Sequence, residues 1–197
     1  VRACPVPGDQ RFLIQAIART RDSCSVVIWN PVSNEHEEYP LAESLVGRTI
    51  LLDWSADGER ILLANTHRAR QRRLIFRPSD RSLSPVGDSC GSFRTRFPDE
   101  GPRAYFDSDG NVCAVRQDAR TPPSLVRFSE AGSGSYETLI DLSASLSGAL
   151  WREFVTVSSD GEEIVGWYCV PQGEGPFPLV LRTIDPMRDR YAGDEYD

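Results

Sequence analysis

Short apolar runs separated by glycine, proline and aspartate dominate the first 150 residues of the chain. Runs of this length, bounded by turn residues, predict β-strands. The apolar spacing of an amphipathic helix is not sustained, and the two best stretches, Leu41–Leu45 and Leu142–Trp151, are interpreted as connections between strands. The pattern therefore predicts an all-β protein.

A glycine-bearing turn followed at once by an apolar strand recurs four times. Its aspartates, Asp9, Asp57, Asp109 and Asp160, are separated by 48, 52 and 51 residues. Glycine accepts a positive φ in the tight reversal between antiparallel strands, and aspartate bonds its own backbone there. An interval this regular predicts one structural unit used repeatedly.

Each of the first three turns lies within a group of short segments that we interpret as strands. The first group comprises Phe12–Ala16, Ser25–Trp29 and Glu37–Tyr39, and the second comprises Leu51–Trp54, Ile61–Ala64, Leu74–Phe76 and Leu83–Val86. The third comprises Tyr105–Phe106, Val112–Val115, Leu125–Phe128 and Tyr136–Leu142. Four-stranded units at this interval are typical of propeller blades, so residues 1–150 are predicted to form a partial β-propeller of about three four-stranded antiparallel blades.

The composition is that of an ordinary globular protein, with 40% apolar residues, 26% charged residues and a formal net charge of -7. No basic run is long enough to neutralise a line of phosphates, so nucleic acid is not an expected partner. No apolar run reaches the ~20 residues that a membrane-spanning helix requires, so a membrane is not an expected partner either. The chain contains no lysine, which excludes a lysine nucleophile or base within these residues.

The cysteines predict neither a zinc site nor a disulfide framework, because their number is odd and no C-x-x-C spacing occurs. Cys113 and Cys169 lie inside strand patterns and are expected to be buried as small apolar side chains. We therefore expect reducing, cytoplasmic surroundings. The chain opens on Val1 without a signal-peptide pattern, which indicates either a numbering that begins inside a longer chain or a leader that has been removed.

Two histidines invite a functional interpretation. His36 is flanked by glutamates and could ligate a metal, but no second histidine or cysteine lies at ligand spacing, so an exposed hairpin tip is favoured. His67 lies in the basic segment Thr66–Arg73, which could bind an acidic group but is more typical of an exposed connection between strands. Neither pattern predicts a metal or cofactor site.

Aromatic and acidic residues also have a functional and a structural interpretation. The four tryptophans could form a ligand surface, but their positions in or beside strands favour packing between blades: Trp29, Trp54, Trp151 and Trp167. The acidic tail Asp194–Asp197 could bind calcium and is interpreted as an exposed terminus.

Two segments resemble a known family. Trp54–Ile61, with the sequence WSADGERI, resembles the tryptophan-serine-proline-aspartate-glycine signature of TolB-like and prolyl oligopeptidase propellers, with Ala56 in place of the proline. Ser159–Tyr168 with Gly175–Leu181 is similar to the stretch where prolyl oligopeptidase family serine peptidases, acylaminoacyl and dipeptidyl peptidases among them, enter their α/β-hydrolase domain. The resemblance implies that residues 151–197 are the incomplete start of that domain, with strands at Ile164–Val170 and Pro178–Leu181.

The family's catalytic motifs are not found at the positions where the family has them. Its next element is a His-Gly-Gly-Pro loop that helps build the oxyanion hole, and the matching text here is Thr183-Ile184-Asp185-Pro186. The one Gly-x-Ser-x-Gly pentapeptide, Gly87–Gly91, lies among the predicted blade strands and upstream of the segment that resembles the hydrolase domain. Both histidines also lie upstream of the position that a triad would use. We therefore assign no catalytic, cofactor-binding or metal-binding residue, and we expect the chain to be inactive alone.

The resemblance implies that in a full enzyme the propeller part restricts the access of peptide substrates to a serine nucleophile. The chain would then be a fragment or truncated homologue, or its residues from Ile184 onward would derive from a splice error. The alternative is a non-catalytic interaction module, because three blades fall short of the ~4 to 8 that close a propeller. Open strand edges could then recruit a protein partner or a second copy by strand addition.

Overall fold

A computed structural model describes residues 2–6, 8–17, 24–41, 45, 48–67, 70–87, 104–117, 122–129, 135–141 and 151–181. The regular secondary structure of these residues consists of β-strands, which confirms the predicted fold class. The strands form three four-stranded antiparallel sheets and one two-stranded hairpin. In each sheet the strands lie side by side in chain order, which is the meander expected of a propeller blade.

The strand boundaries are as follows. The first sheet contains β1 (Arg2–Ala3), β2 (Phe12–Ile17), β3 (Cys24–Asn30) and β4 (Glu35–Pro40). The second contains β5 (Arg48–Trp54), β6 (Ile61–His67), β7 (Arg70–Arg77) and β8 (Ser82–Val86). The third contains β9 (Ala104–Phe106), β10 (Val112–Arg116), β11 (Ser124–Phe128) and β12 (Tyr136–Asp141). The hairpin contains β13 (Trp151–Val157) and β14 (Glu163–Cys169).

The predicted strands are found, with differences at their ends. The first sheet gains the short strand β1, which the sequence analysis did not assign. The basic segment after Thr66 was predicted to be a connection, but from Arg70 onward it is strand β7. The prediction of a strand at Pro178–Leu181 is wrong, because these exposed residues pair with no strand that the structure describes. Of the predicted connection Leu142–Trp151, residues 142–150 lie outside the described residues, and Trp151 begins β13.

The three sheets are stacked, and the stack is held by their apolar faces. Successive side chains of a strand point to opposite sides, so each sheet has two faces. We call the face on the side of the previous sheet in the chain the preceding face. We call the face on the side of the next sheet the following face. One core joins the following face of the first sheet to the preceding face of the second: Leu13, Val26, Ile28 and Tyr39 with Trp54, Ile61, Leu63, Leu74 and Phe76. A second core joins the second sheet to the third: Leu52, Leu62, Ala64, Ile75 and Val86 with Ala104, Val112, Ala114, Val126 and Phe128. The second sheet is therefore covered on both faces.

Backbone-directed hydrogen bonds link each sheet to the first strand of the next. The Gln15 side chain of β2 donates to the Thr49 carbonyl at 2.5 Å and accepts from the Leu51 N–H at 3.0 Å. One sheet further on, the Asp53 carboxylate of β5 accepts from the Phe106 N–H at 2.9 Å. These polar groups lie at the boundary between two sheets, where each bond satisfies a backbone group that sheet pairing leaves open. They fix the register of one sheet on the next.

An arginine–aromatic contact repeats at the turns between the first and second strands. Arg11, just before β2, lies 5.9 Å from the ring centroid of Trp54, the last residue of β5. Arg60, just before β6, lies 5.1 Å from the ring of Phe106, the last residue of β9, and donates to the Gly110 carbonyl at 3.0 Å. The arginine of one sheet therefore contacts the aromatic residue of the next sheet at equivalent positions. In the third sheet the arginine position is held by Asn111.

The hairpin differs from the three sheets. The Asp160-Gly161 turn joins β13 to β14, as predicted, with a φ of 90° at Gly161. Its apolar side chains are much more exposed than those of the stacked sheets: Phe154, Val155, Val157, Ile164 and Tyr168. The regular interval of the glycine turns thus continues into a unit of a different kind.

We expect Gly87→Ala to destabilise the fold more than Gly8→Ala. Both glycines have positive φ, 74° and 82°, so alanine costs about 1 kcal/mol of backbone strain at either position. A Cβ at Gly87 would also run into the ring of Phe128 in the third sheet, whereas nothing lies within 4 Å of one at Gly8. Overpacking of this kind adds about 1 to 3 kcal/mol, to be measured by urea unfolding followed by circular dichroism. Equal losses would contradict the close approach of Gly87 to the third sheet.

We expect Arg60 and Phe106 to be energetically coupled. A double-mutant cycle with Arg60→Met and Phe106→Leu should give a coupling free energy of about 0.5 to 1 kcal/mol in unfolding experiments. Arg60→Met paired with a substitution of Val32, an exposed turn residue in the first sheet, supplies the control and should be additive. A cycle that closes to zero for Arg60 and Phe106 would contradict a contribution of this contact to the packing of the sheets.

Candidate functional site: a charged groove between the first and second sheets

A groove of about 720 Å³ lies between the outer strands of the first sheet and two turns of the second. Strand β4 forms one wall with Glu35, His36, Glu37 and Glu38. The opposite wall comes from the β7–β8 turn and from the turn before β6: Pro78, Ser79 and Arg81 with Gly58 and Glu59. Arg11, Ile28, Asn30 and Tyr39 complete the lining.

The two hairpin turns that shape the groove follow from their sequences. Asn30 ends β3, and its side-chain oxygen accepts from the Val32 N–H at 3.0 Å, which begins the turn. Asn34 and Arg81 adopt left-handed backbone conformations, with φ of 57° and 56°. Asparagine tolerates this conformation well. The turn therefore ends at Asn34, β4 starts at Glu35, and the carboxylates of β4 line the groove.

Arg11 and Asp9 form a fixed ion pair beside the groove. The Arg11 Nε and Nη2 donate to Asp9 Oδ2 at 2.8 and 2.6 Å, and the Arg11 backbone N–H donates to Oδ1 at 2.9 Å. These side-chain and backbone bonds hold the pKa of Asp9 well below its usual range. The guanidinium also lies over Trp54, whose Nε1 donates to the Gly58 carbonyl at 2.9 Å. Arg11 is therefore held in place by Asp9 and Trp54, and the Asp9 carboxylate largely neutralises its positive charge.

Tyr39 anchors the apolar side of the groove. Its ring packs edge-on against Phe76 of the second sheet, with centroids 5.4 Å apart, and the Arg81 guanidinium lies 5.8 Å from its centroid. Its hydroxyl is hydrogen-bonded to Glu37. Burial, followed by the hydrogen bond and the negative charge of Glu37, raises the pKa of Tyr39 to about 12. The phenol therefore stays protonated and donates to the carboxylate.

The charges of the groove are predominantly negative. Four glutamates line it against two arginines, and one of the arginines is already paired with Asp9. Carboxylates accept hydrogen bonds, so the groove can bind polar or cationic groups. Within the described residues, no group of three histidine, cysteine, aspartate or glutamate side chains is arranged to hold a metal ion.

The structure places the two histidines apart. His36 is exposed on β4 beside the hairpin turn, as predicted, and lines the groove. His67 is the last residue of β6, and its side chain lies outside the described part of the chain. The histidines are thus on different sheets, at different strand ends. Among the residues that the structure describes, no helix is long and apolar enough to cross a bilayer.

The aromatic and cysteine predictions are confirmed in part. Trp54 is buried at a sheet boundary, as expected, whereas Trp29 is half-buried on the preceding face of the first sheet. Cys113 is buried, as expected, but the prediction for Cys169 is wrong: it is exposed at the end of β14, because little packs on that part of the hairpin. The acidic tail Asp194–Asp197 and the segment Thr183–Pro186 lie outside the described residues.

Two buried arginines were not predicted from the sequence. Arg73 was assigned to an exposed basic connection, but in β7 it is only 1% exposed, and burial lowers the pKa of its guanidinium. Arg116 at the end of β10 is 9% exposed, and its guanidinium lies 4.9 Å from the ring centroid of Tyr136. Alternation within β7, where Leu74 and Phe76 point to the first sheet, places Arg73 towards the third sheet. The signal in the sequence was the strand alternation, which the three other arginines of the segment Thr66–Arg73 obscured.

Comparison of the sequence with protein-family models and with curated proteins gives no match. Among solved structures, the chain is similar to TolB from Acinetobacter baumannii, with 12% identity, a TM-score of 0.49, and coverage of 83% of this chain and 39% of that one. It is also similar to acylaminoacyl peptidase from Pyrococcus horikoshii, with 17% identity, a TM-score of 0.33, and coverage of 84% and 32%. An acylaminoacyl peptidase in complex with Z-Gly-Gly-Phe-chloromethyl ketone gives the same values. With TM-scores below 0.5, these likenesses decide neither fold nor function, and the fold rests on strand order and packing.

We expect Tyr39→Phe to alter the alkaline stability of the protein. The folded-state pKa of Tyr39, about 12, lies above the ordinary value of 10.0, so its stabilising effect is complete below pH 10 and is lost as the pH rises towards 12. Urea unfolding across this range should show a smaller loss of stability in the variant than in the parent. Tyr168→Phe, at an exposed tyrosine of the hairpin, supplies the control. Parallel curves for Tyr39→Phe and the parent would contradict the burial of this phenol.

Proposed function

We propose that this chain is the propeller part of a prolyl oligopeptidase family serine peptidase, continuing into the first strands of its hydrolase domain. In this function the chain does not break peptide bonds. It forms part of the wall that restricts which peptides reach a serine nucleophile located elsewhere in the enzyme.

The observation that carries this proposal is the change of architecture at Trp151. Three successive glycine turns join the first and second strands of four-stranded meanders that stack face to face. The fourth, at Asp160-Gly161, joins the two strands of an exposed hairpin, although its sequence interval is similar. A switch from blades to a separate hairpin at this point supports a domain boundary near residue 150, where the family resemblance also sets it.

The chemistry of the described residues supports a passive role. The groove between the first two sheets has carboxylates and a buried, protonated phenol but no activated nucleophile. The one Gly-x-Ser-x-Gly pentapeptide, Gly87–Gly91, follows the last strand of the second sheet and not a strand of the hydrolase segment, and the two histidines lie on two different sheets. A triad requires a serine, a histidine and an acid within hydrogen-bond reach of one another, and in this proposal those residues belong to the rest of the enzyme.

We expect the purified chain to hydrolyse neither acyl-peptide nor aminoacyl p-nitroanilide substrates. A parallel preparation of the His36→Ala variant controls for contaminating peptidases, since a contaminant is unaffected by the substitution. Equal traces of activity in both preparations indicate contamination. Turnover that belongs to the parent and is lost in the variant would contradict the assignment of catalysis to other residues.

The family assignment has a direct test in the coding sequence that surrounds this segment. We expect an open frame past Asp197 to encode Gly-x-Ser-x-Gly, followed by an aspartate and then a histidine. The enzyme encoded by that longer frame should cleave oligopeptides and leave folded proteins intact. A continuing frame without the pentapeptide would contradict the peptidase assignment, and equal cleavage of both substrates would contradict the gating role alone.

The alternative of a non-catalytic interaction module is favoured by the exposed residues of β12. This outermost strand of the third sheet exposes Tyr136, Leu139 and Ile140, and edge strands with apolar side chains are sites of strand addition. Replacing Thr138 of this strand with proline should block pairing at the edge without loss of the fold, because edge strands tolerate proline.

A further inference from the structure

We draw no further inference here: the strongest candidate, the cluster of glutamates that β4 and the turn before β6 contribute to the groove between the first and second sheets, belongs to the site already described, and no second observation in the structure points to a ligand for its carboxylates.

Discussion

The structure depends on the burial of apolar side chains on both faces of each four-stranded sheet. A sheet with one apolar face needs one neighbour to bury it, whereas a sheet with two apolar faces needs a neighbour on each side. Successive meander sheets therefore pack face to face in a stack. The second sheet fulfils it completely, with Ile61 and Leu62 fully buried on opposite faces. The bonds from Gln15 and Asp53 and the arginine–aromatic contacts then fix how one sheet lies on the next. These polar contacts give register to a packing that is driven by the hydrophobic effect.

The sequence predicts the strands well because the signals for strands are local. The Asp-Gly turns, the apolar runs and their regular interval depend on neighbouring residues only, and the three blades follow from them. The burial of Arg73 and the exposure of Cys169 could not be predicted in the same way. Each depends on which sheet packs against the strand, and that information comes from residues far apart in the chain.

The same distinction explains the errors around the candidate site. Pro178–Leu181 has the composition of a strand, but a strand requires a partner, and none of the described strands supplies it. His36 was assigned correctly from its polar surroundings, whereas the groove that it lines was not visible in the sequence. The groove arises only when the β3–β4 hairpin of one sheet meets the turns of the next. Sequence patterns identify elements, and surfaces shared between elements come from the fold.

The proposed function rests on the change from blade to hairpin at Trp151 and on the resemblance of the residues that follow to the start of a hydrolase domain. A wall that restricts access to an active site requires rigid elements, and sheets stacked through apolar faces supply them.

Native-state hydrogen exchange tests the stacking most directly. Amides of Ile61–Ala64 in β6 belong to the sheet that other described sheets cover on both faces, so they should exchange only through global unfolding and be the slowest in the chain. Amides of the exposed hairpin β13–β14 should exchange much faster through local opening. Exchange of β6 at the rate of the hairpin would contradict a stacked second sheet and with it the account of the fold.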